Sequence, residues 1–236
     1  PHKKNEAIPN RNIKCNLKAY QFANFISVAS QHVKESFLLH QYPENRIFVN
    51  PYGVDLSMFK PLPNIPKKYD VIMVGGWGYE KGCDLIVEAI RKTNYSFIHV
   101  GSIKDVDFPQ EKNFTHIDPV DQSKLIEYYN QAKVFILPSR QDGFGMVLSQ
   151  ALACNLPIIG SNNCGAPDLK KMVELPEYIT IIKDYTADAI VTAIHTAIKN
   201  YEQLGERIYA GNAIENLTWE AYGKRYANFL HKIIKQ

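Results

Sequence analysis

The feature that most restricts the fold of this chain is an alternation of short apolar runs and helical patterns between residues 69 and 182. Runs such as 71–74 and 134–137 contain no alternating polar residues, which is typical of parallel strands covered by helices on both faces. The segments between the runs carry apolar residues at helical spacing, as crossover helices do. The sequence therefore predicts an α/β fold with a Rossmann-like parallel sheet flanked by helices.

Strands and helices can be assigned along most of the chain. A strand at 24–30, a helix at 32–40 and a strand at 46–50 are predicted first, and after residue 184 the pattern is helical. Thr218 is a fair N-cap for a last helix that should pack back on the Rossmann-like domain, and Asp121 for an earlier one. In the central region we predict strands at 71–74, 96–100, 114–117, 134–137, 157–160 and 178–182, and helices at 83–91, 122–131 and 146–153.

A proline-rich stretch marks a domain boundary. Pro51, Pro61, Pro63 and Pro66 stiffen and extend the chain between residues 51 and 68. We therefore predict an N-terminal part at 1–50, a linker at 51–68, the Rossmann-like domain at 69–217 and a C-terminal helix at 218–236.

The composition narrows the class of protein. The formal net charge is only +3, with no dense basic run, so no nucleic-acid partner is predicted. Cys15, Cys83, Cys154 and Cys164 have irregular spacings that suggest neither a zinc site nor a disulfide scaffold. No apolar run approaches the ~20 residues that span a bilayer. We expect reduced thiols in a cytoplasmic protein.

A polar glycine loop at 138–145 joins a predicted strand directly to a predicted helix. Gly143 and Gly145 remove side chains where an anion would approach the backbone, and a helix start offers unpaired N–H groups. Asp142 could accept hydrogen bonds from sugar hydroxyls, and the Gln150 amide could bind ribose hydroxyls. Asp142 could equally be a helix cap, and Gln150 a solvated helix position.

Two other glycine-bearing loops follow predicted strands. The loop at 75–82 contains Gly75 and Gly76 and ends at Lys81, whose charge could neutralise a diphosphate, although it could also be an ordinary surface lysine. The loop at 161–168 ends at Asp168, which we interpret as a capping or turn residue. Because the carboxyl ends of parallel strands share one edge, all three loops should meet there.

Together these segments resemble glycosyltransferase family 4, a family of retaining enzymes with the GT-B fold. The segment 50–61 resembles the interdomain linker of that family, and 74–82 its glycine loop ending in Lys-Gly. The segment 138–153 resembles its Pro-Ser, Glu-Gly-Phe-Gly and Glu-Ala motifs, and 161–168 its glycine-rich turn.

The resemblance implies the C-terminal, donor-binding half of a GT-B enzyme. The expected reaction is metal-independent transfer of a glycosyl group from a UDP- or GDP-sugar to an acceptor hydroxyl, with retention and without a cofactor. Residues 1–50 would end an acceptor-side domain that is mostly missing from this chain. The resemblance leaves open whether the acceptor is a glycan, a lipid-linked molecule or a protein, and whether the enzyme associates peripherally with a membrane.

The resemblance also assigns roles to residues. Lys81 would contact the donor diphosphate and Asp142 the transferred sugar, and both would be catalytic. Gln150 would bind the ribose, while Gly75, Gly76, Gly143, Phe144 and Gly145 would complete the donor site. The chain departs from the family pattern at three of these positions: Gly76 replaces an Arg, and Asp142 and Gln150 each replace a Glu. Gln150 thereby gives up a charge-assisted hydrogen bond of ~1.5–3 kcal/mol.

Three other functions remain open from the sequence. Asp105 and Asp107 form an Asp-x-Asp pair that could hold a divalent ion in a metal-dependent GT-A transferase, or could simply be a solvated acidic turn. A non-catalytic nucleotide-sugar-binding or regulatory module is favoured by Gly76 and Gln150. A nucleotide-sugar epimerase is a weaker alternative, because its acid and base residues cannot be identified.

Overall fold

The computed structural model describes residues 10–204 and 211–235. Helix α1 (Asn10–Phe22) is followed by strand β1 (Ile26–Val28), helix α2 (Gln31–Leu39) and strand β2 (Ile47–Val49), and the two strands pair in parallel. The predicted strand, helix and strand are confirmed. Helix α1 was not predicted, although Ile13, Leu17 and Tyr20 follow helical spacing; its side chains are almost all exposed.

The main sheet has six parallel strands in the order β5-β4-β3-β6-β7-β8. This order confirms the predicted Rossmann-like sheet, and it places the reversal of strand order between β3 and β6. The apolar runs 71–74 and 134–137 are fully buried, which explains their lack of polar alternation. The strands are β3 (Tyr69–Val74), β4 (Phe97–Val100), β5 (Phe114–Ile117), β6 (Ala132–Leu137), β7 (Ile158–Ser161) and β8 (Ile179–Ile182).

Helices connect most of the successive strands and cover the sheet, whereas β4 and β5 are joined by the loop at 101–113. Their bounds are α3 (Cys83–Lys92), α4 (Gln122–Asn130), α5 (Met146–Ala153), α6 (Ala166–Met172) and α7 (Ala187–Leu204). Helix α7 packs against α3 and against β6, β7 and β8. Asp121 occupies the N-cap position of α4, but its side chain makes no capping hydrogen bond, so that predicted cap is wrong.

The last helix, α8 (Trp219–Ile234), packs on the upstream segment rather than on the main sheet. Its predicted N-cap is confirmed, since the Thr218 hydroxyl accepts from the Ala221 amide. The ring of Phe229 stacks on Phe48 with centroids 4.1 Å apart, and it meets Phe25 edge-on. The expectation that this helix returns to the Rossmann-like domain is therefore wrong, because its aromatic stripe matches the aromatic residues beside β1 and β2.

Three further findings concern the described residues. All four cysteines are free thiols, as predicted, and all except Cys15 are buried. None of the helices within 10–204 and 211–235 is long and apolar enough to cross a membrane. Within the same ranges, no three His, Cys, Asp or Glu side chains are grouped so that they could hold a metal ion.

Candidate functional site

Three loops meet at the carboxyl edge of the main sheet, as predicted. They are the β3 loop (75–82), the β6 loop (138–145) and the β7 loop (162–165). The Arg140 amide donates to the Glu80 carbonyl at 2.8 Å, which joins the first two loops. The Gly165 amide donates to the Phe144 carbonyl, also at 2.8 Å, which joins the last two. Since β3 and β6 flank the reversal of strand order, the loops surround the crevice where ligands of such sheets bind.

The approach of the β3 loop to the β6 loop depends on Gly82. Its φ is 73°, in the left-handed region that side chains disfavour. A Cβ at this position would also lie 2.4 Å from the Pro138 carbonyl oxygen. Glycine therefore allows the backbone contact that brings Lys81 to the β6 loop.

The two residues predicted to be catalytic contact each other. Lys81 Nζ lies 2.8 Å from Asp142 Oδ2, and Asp142 Oδ1 accepts from the Phe144 amide at 3.1 Å. Both side chains are mostly buried, with 26% of Lys81 and 17% of Asp142 exposed. The Asp142 carboxylate thus accepts a hydrogen bond from the amide just before Gly145, the N-cap of α5. It also neutralises Lys81, the residue predicted to contact the donor diphosphate.

A cleft of about 600 Å³ opens beside this ion pair. One wall comes from the loops and the start of α5, and the other from β1, α2 and Tyr52. Most of the predicted donor-site residues line it, namely Gly75, Lys81, Asp142, Gly143, Phe144 and Gly145. Gly76 and Gln150 are not among the lining residues.

Gln150 is a residue of α5 whose side chain is buried in the core. It is 6% exposed, and its Oε1 accepts from the Tyr129 hydroxyl at 3.0 Å. The alternative of a solvated helix position is therefore wrong, because one turn of helix carries the side chain inward toward α4. Its predicted contact with a ribose stays a prediction.

The upstream segment is bound directly to the loop side. The Ser30 hydroxyl, at the N-cap of α2, donates to the Gly143 carbonyl at 2.6 Å. Both oxygens of Asp168 accept from the Gln31 amide at 3.1 and 3.2 Å. Contrary to the capping prediction, Asp168 does not cap the helix that follows its loop: it lies in the first turn of α6, whose N-cap is Gly165, and its carboxylate binds the first amide of α2 instead. Burial raises the pKa of this carboxyl.

Two histidines that sequence reasoning did not single out support the β3 loop. His99 Nε2 lies 2.8 Å from the Gly75 carbonyl, and His99 Nδ1 lies 3.0 Å from His116 Nδ1. A carbonyl only accepts, so Nε2 of His99 carries the proton and its Nδ1 accepts from His116. Burial lowers the pKa of His99 to about 4, which keeps the ring neutral. His99 lies within a buried, otherwise apolar strand, and nothing in the sequence around it indicates this contact.

Two other charged residues near the loops, Arg140 and Asp105, are engaged in structural contacts. Arg140 pairs with both carboxylate oxygens of Asp84, at 2.6 and 2.8 Å, and stacks on the Tyr79 ring. Asp105 Oδ1 accepts from the Tyr79 amide at 2.8 Å. The Asp-x-Asp pair considered for a metal therefore begins with a residue that caps the β3 loop.

A family description fits the central part of the chain. The sequence model of the family described as Glycosyl transferases group 1 matches residues 57–213, which is more than half of the chain.

Two curated relatives match most of this chain. A probable sucrose-phosphate synthase of Thermosipho melanesiensis is 26% identical over 91% of it. A GDP-mannose-dependent alpha-(1-6)-phosphatidylinositol monomannoside mannosyltransferase of Mycolicibacterium smegmatis is 23% identical over 88%. The matches cover 56% and 62% of those two proteins, so the chain spans little more than half of their length.

Solved structures share the fold. Sucrose-phosphate synthase from Thermosynechococcus elongatus gives a TM-score of 0.73 at 18% identity, over 100% of this chain and 64% of that one. Anabaena Alr3699/HepE in complex with UDP-glucose gives a TM-score of 0.75 at 17% identity, over 96% of this chain and 69% of that one. At this level of identity the likeness establishes the fold, and the predicted Rossmann-like parallel sheet of a GT-B fold is confirmed.

Proposed function

Because this chain belongs to the family of glycosyl transferases group 1, we propose that it transfers a glycosyl group from a nucleotide-sugar donor to an acceptor hydroxyl. In this proposal the reaction retains the anomeric configuration and uses no metal ion. The chain supplies the donor-binding half of the enzyme.

The meeting of three loops around the Lys81–Asp142 pair carries this proposal. The pair borders a cleft large enough for a small ligand, at the reversal of strand order where α/β sheets bind nucleotides. The Anabaena protein with the same fold is in complex with UDP-glucose, which supports a nucleotide-sugar ligand. The mycobacterial relative is named for GDP-mannose, so UDP- and GDP-sugars are both candidate donors.

The proposed chemistry uses positioned charge. Departure of the nucleoside diphosphate places negative charge on its leaving oxygen, and an ammonium near that oxygen lowers the barrier with little reorganisation. Lys81 is the proposed cation, helped by the N–H groups at the start of α5. Asp142 is the proposed acceptor for a hydroxyl of the transferred sugar, and Gln150 the proposed ribose contact. The acceptor hydroxyl then attacks the oxocarbenium-like centre on the face that the diphosphate leaves, and its proton passes to the departing diphosphate oxygen.

We also propose the division of the chain into an acceptor-side remnant at 1–50, a linker at 51–68, a donor domain at 69–217 and a last helix at 218–236. The hydrogen bonds from Ser30 to Gly143 and from Gln31 to Asp168 fit an upstream segment that closes one wall of the donor cleft. Transfer to an acceptor hydroxyl and a cytoplasmic location are also parts of this proposal.

Calorimetric titration with UDP-glucose and GDP-mannose tests the donor site, with EDTA present to remove free metal ions. We expect one of the two to bind, and the Lys81→Ala variant to bind it more weakly. If neither nucleotide sugar binds, and neither free UDP nor free GDP binds, the proposed function is refuted. Retention is tested on the full-length enzyme by NMR assignment of the product anomer, where an inverted product would contradict it.

A module that binds the donor without transfer is the second candidate. The burial of Gln150 against Tyr129 favours it, because that amide is already engaged. Donor hydrolysis by the full-length protein separates the two functions: release of free sugar that Asp142→Asn abolishes supports an enzyme, and binding with no release supports the module.

A further inference from the structure

A lysine on the loop after β4 lies along the β3 loop. If Gly78 carried a Cβ, that atom would lie 3.1 Å from Lys104 Cβ. If Gly76 carried one, it would lie 3.5 Å from Cδ and 2.8 Å from Cε of the same lysine. The Lys104 side chain therefore runs from Gly78 past Gly76, which follows the cleft-lining Gly75 in the chain.

The backbone around Lys104 is fixed to the β3 loop. The Lys104 amide donates to the Trp77 carbonyl at 2.9 Å, and the Trp77 amide donates to the Ser102 carbonyl at 2.8 Å. The indole of Trp77 is fully buried, so this bridge is anchored in the core. Asp105 adds its bond to the Tyr79 amide. The base of the lysine is thus held in place while its end stays exposed.

The charge of Lys104 is uncommitted. Its ammonium makes no hydrogen bond or ion pair with any of residues 10–204 or 211–235 in this structure. Lys81 is neutralised by Asp142, and Arg140 by Asp84. A diphosphate carries at least two negative charges, so an unpaired ammonium beside the β3 loop is well placed to balance one of them.

We propose that Lys104 is a phosphate-binding residue of the donor site, reaching the diphosphate over Gly76. This inference rests on the proposed function, because it needs the diphosphate to lie at the β3 loop. Gly76 has a role in the same arrangement. A longer side chain there would occupy the space of the lysine stem, so the glycine gives Lys104 its path to the cleft.

The Lys104→Met variant tests the charge while keeping a long stem over Gly76. Binding is titrated with UDP and GDP, and the tighter of the two is compared with its free nucleoside. We expect the Kd for the nucleotide to rise about tenfold and the Kd for the nucleoside to change less than about twofold, because only the former carries phosphate. Lys104→Arg should bind nearly as well as the wild type. Lys124→Met, on exposed α4, is the matched control and should leave both constants unchanged.

A reciprocal exchange tests the shared space. Lys104→Ala alone should weaken nucleotide binding. Adding Gly76→Arg should restore most of the lost affinity, because the new cation fills the space vacated by the lysine. An unchanged nucleotide Kd in Lys104→Met would overturn the inference, as would an equal loss for nucleotide and nucleoside. If the wild type binds neither UDP nor GDP, the proposed function fails first and this inference fails with it. If the wild type binds and Lys81→Ala weakens it while Lys104→Met does not, only this inference fails.

Discussion

Replacing Lys81 by alanine should weaken donor binding more than the loss of one contact would. In the structure, Lys81 Nζ is 2.8 Å from Asp142 Oδ2, and the Asp142 carboxylate is only 17% exposed. Lys81→Ala therefore removes the cation and also leaves a mostly buried carboxylate without its partner. The donor diphosphate is then repelled by the uncompensated Asp142 carboxylate and is no longer attracted by the Lys81 ammonium.

The magnitude has two parts. A hydrogen bond from a charged donor to a phosphate contributes ~1.5–3 kcal/mol. A phosphate oxygen bonded to Lys81 would lie roughly 5.5 Å from the Asp142 carboxylate, since two contacts of about 2.8 Å separate them. Unit charges at that distance repel by ~1.5 kcal/mol at an effective dielectric of ~40, a value that allows for partial exposure. We expect Lys81→Ala to raise the donor Kd about 100- to 2000-fold.

Asp142→Asn provides the discriminating second variant. Asparagine can still accept from the Phe144 amide, so the β6 loop keeps that bond while the negative charge disappears. The double variant Lys81→Ala, Asp142→Asn should bind the donor about tenfold more tightly than Lys81→Ala alone, because the repulsion is gone.

The measurement is calorimetric titration of UDP-glucose or GDP-mannose at ~0.1 M salt, where surface charges are partly screened. Thermal unfolding of each variant checks that the fold survives, and Lys124→Ala serves as a lysine control outside the site. Wild-type affinity in Lys81→Ala would mean that the diphosphate lies elsewhere. Equal affinities of the single and double variants would mean that Asp142 does not face it.

Three other predictions concern stability and docking. Gly82→Ala should lower the free energy of unfolding by at least ~1–3 kcal/mol, because alanine is strained at a φ of 73° and its Cβ would clash with a carbonyl; denaturant titration measures this, with Gly223→Ala as an uncrowded control. Burial lowers the pKa of His99 to about 4 from 6.5, so the unfolded chain binds a proton that the folded chain does not, and stability should fall by up to ~3 kcal/mol as the pH drops from 6.5 to 4. His99→Asn should flatten that part of the stability profile, and an unchanged slope would contradict the assignment. Asp168→Asn should speed hydrogen exchange at the Gln31 amide about tenfold by weakening the N-terminal contact of α2, and unchanged exchange would show that the contact adds nothing.

The sheet could be predicted from the sequence because its strands are buried on both faces. Each predicted central strand overlaps an observed one, with bounds that differ by no more than two residues. Continuous apolar runs mark such strands, and glycines mark the loops at their carboxyl ends. The meeting of the loops then follows from parallel topology alone.

Contacts between distant segments could not be predicted in this way. A residue type shows that Lys81 is positive, but not that Asp142, 61 positions later, neutralises it. Helical spacing placed Gln150 one turn into α5 without revealing that Tyr129 draws it inward. The last helix likewise has an amphipathic pattern, which states that one face is buried but not that the partner is Phe48 rather than the main sheet.

Under the proposed function, the Lys81–Asp142 pair links recognition of the sugar to recognition of the diphosphate. In the structure Asp142 has both oxygens engaged, one by Lys81 and one by the Phe144 amide. A sugar hydroxyl that donates to Asp142 competes with Lys81 for that carboxylate, and so frees the ammonium for the leaving oxygen. A nucleotide without a sugar gains less from Lys81, since Asp142 still holds it. Neutralisation of Lys81 by Asp142 thus gives a physical reason for the chain to bind an intact donor more tightly than its nucleotide product.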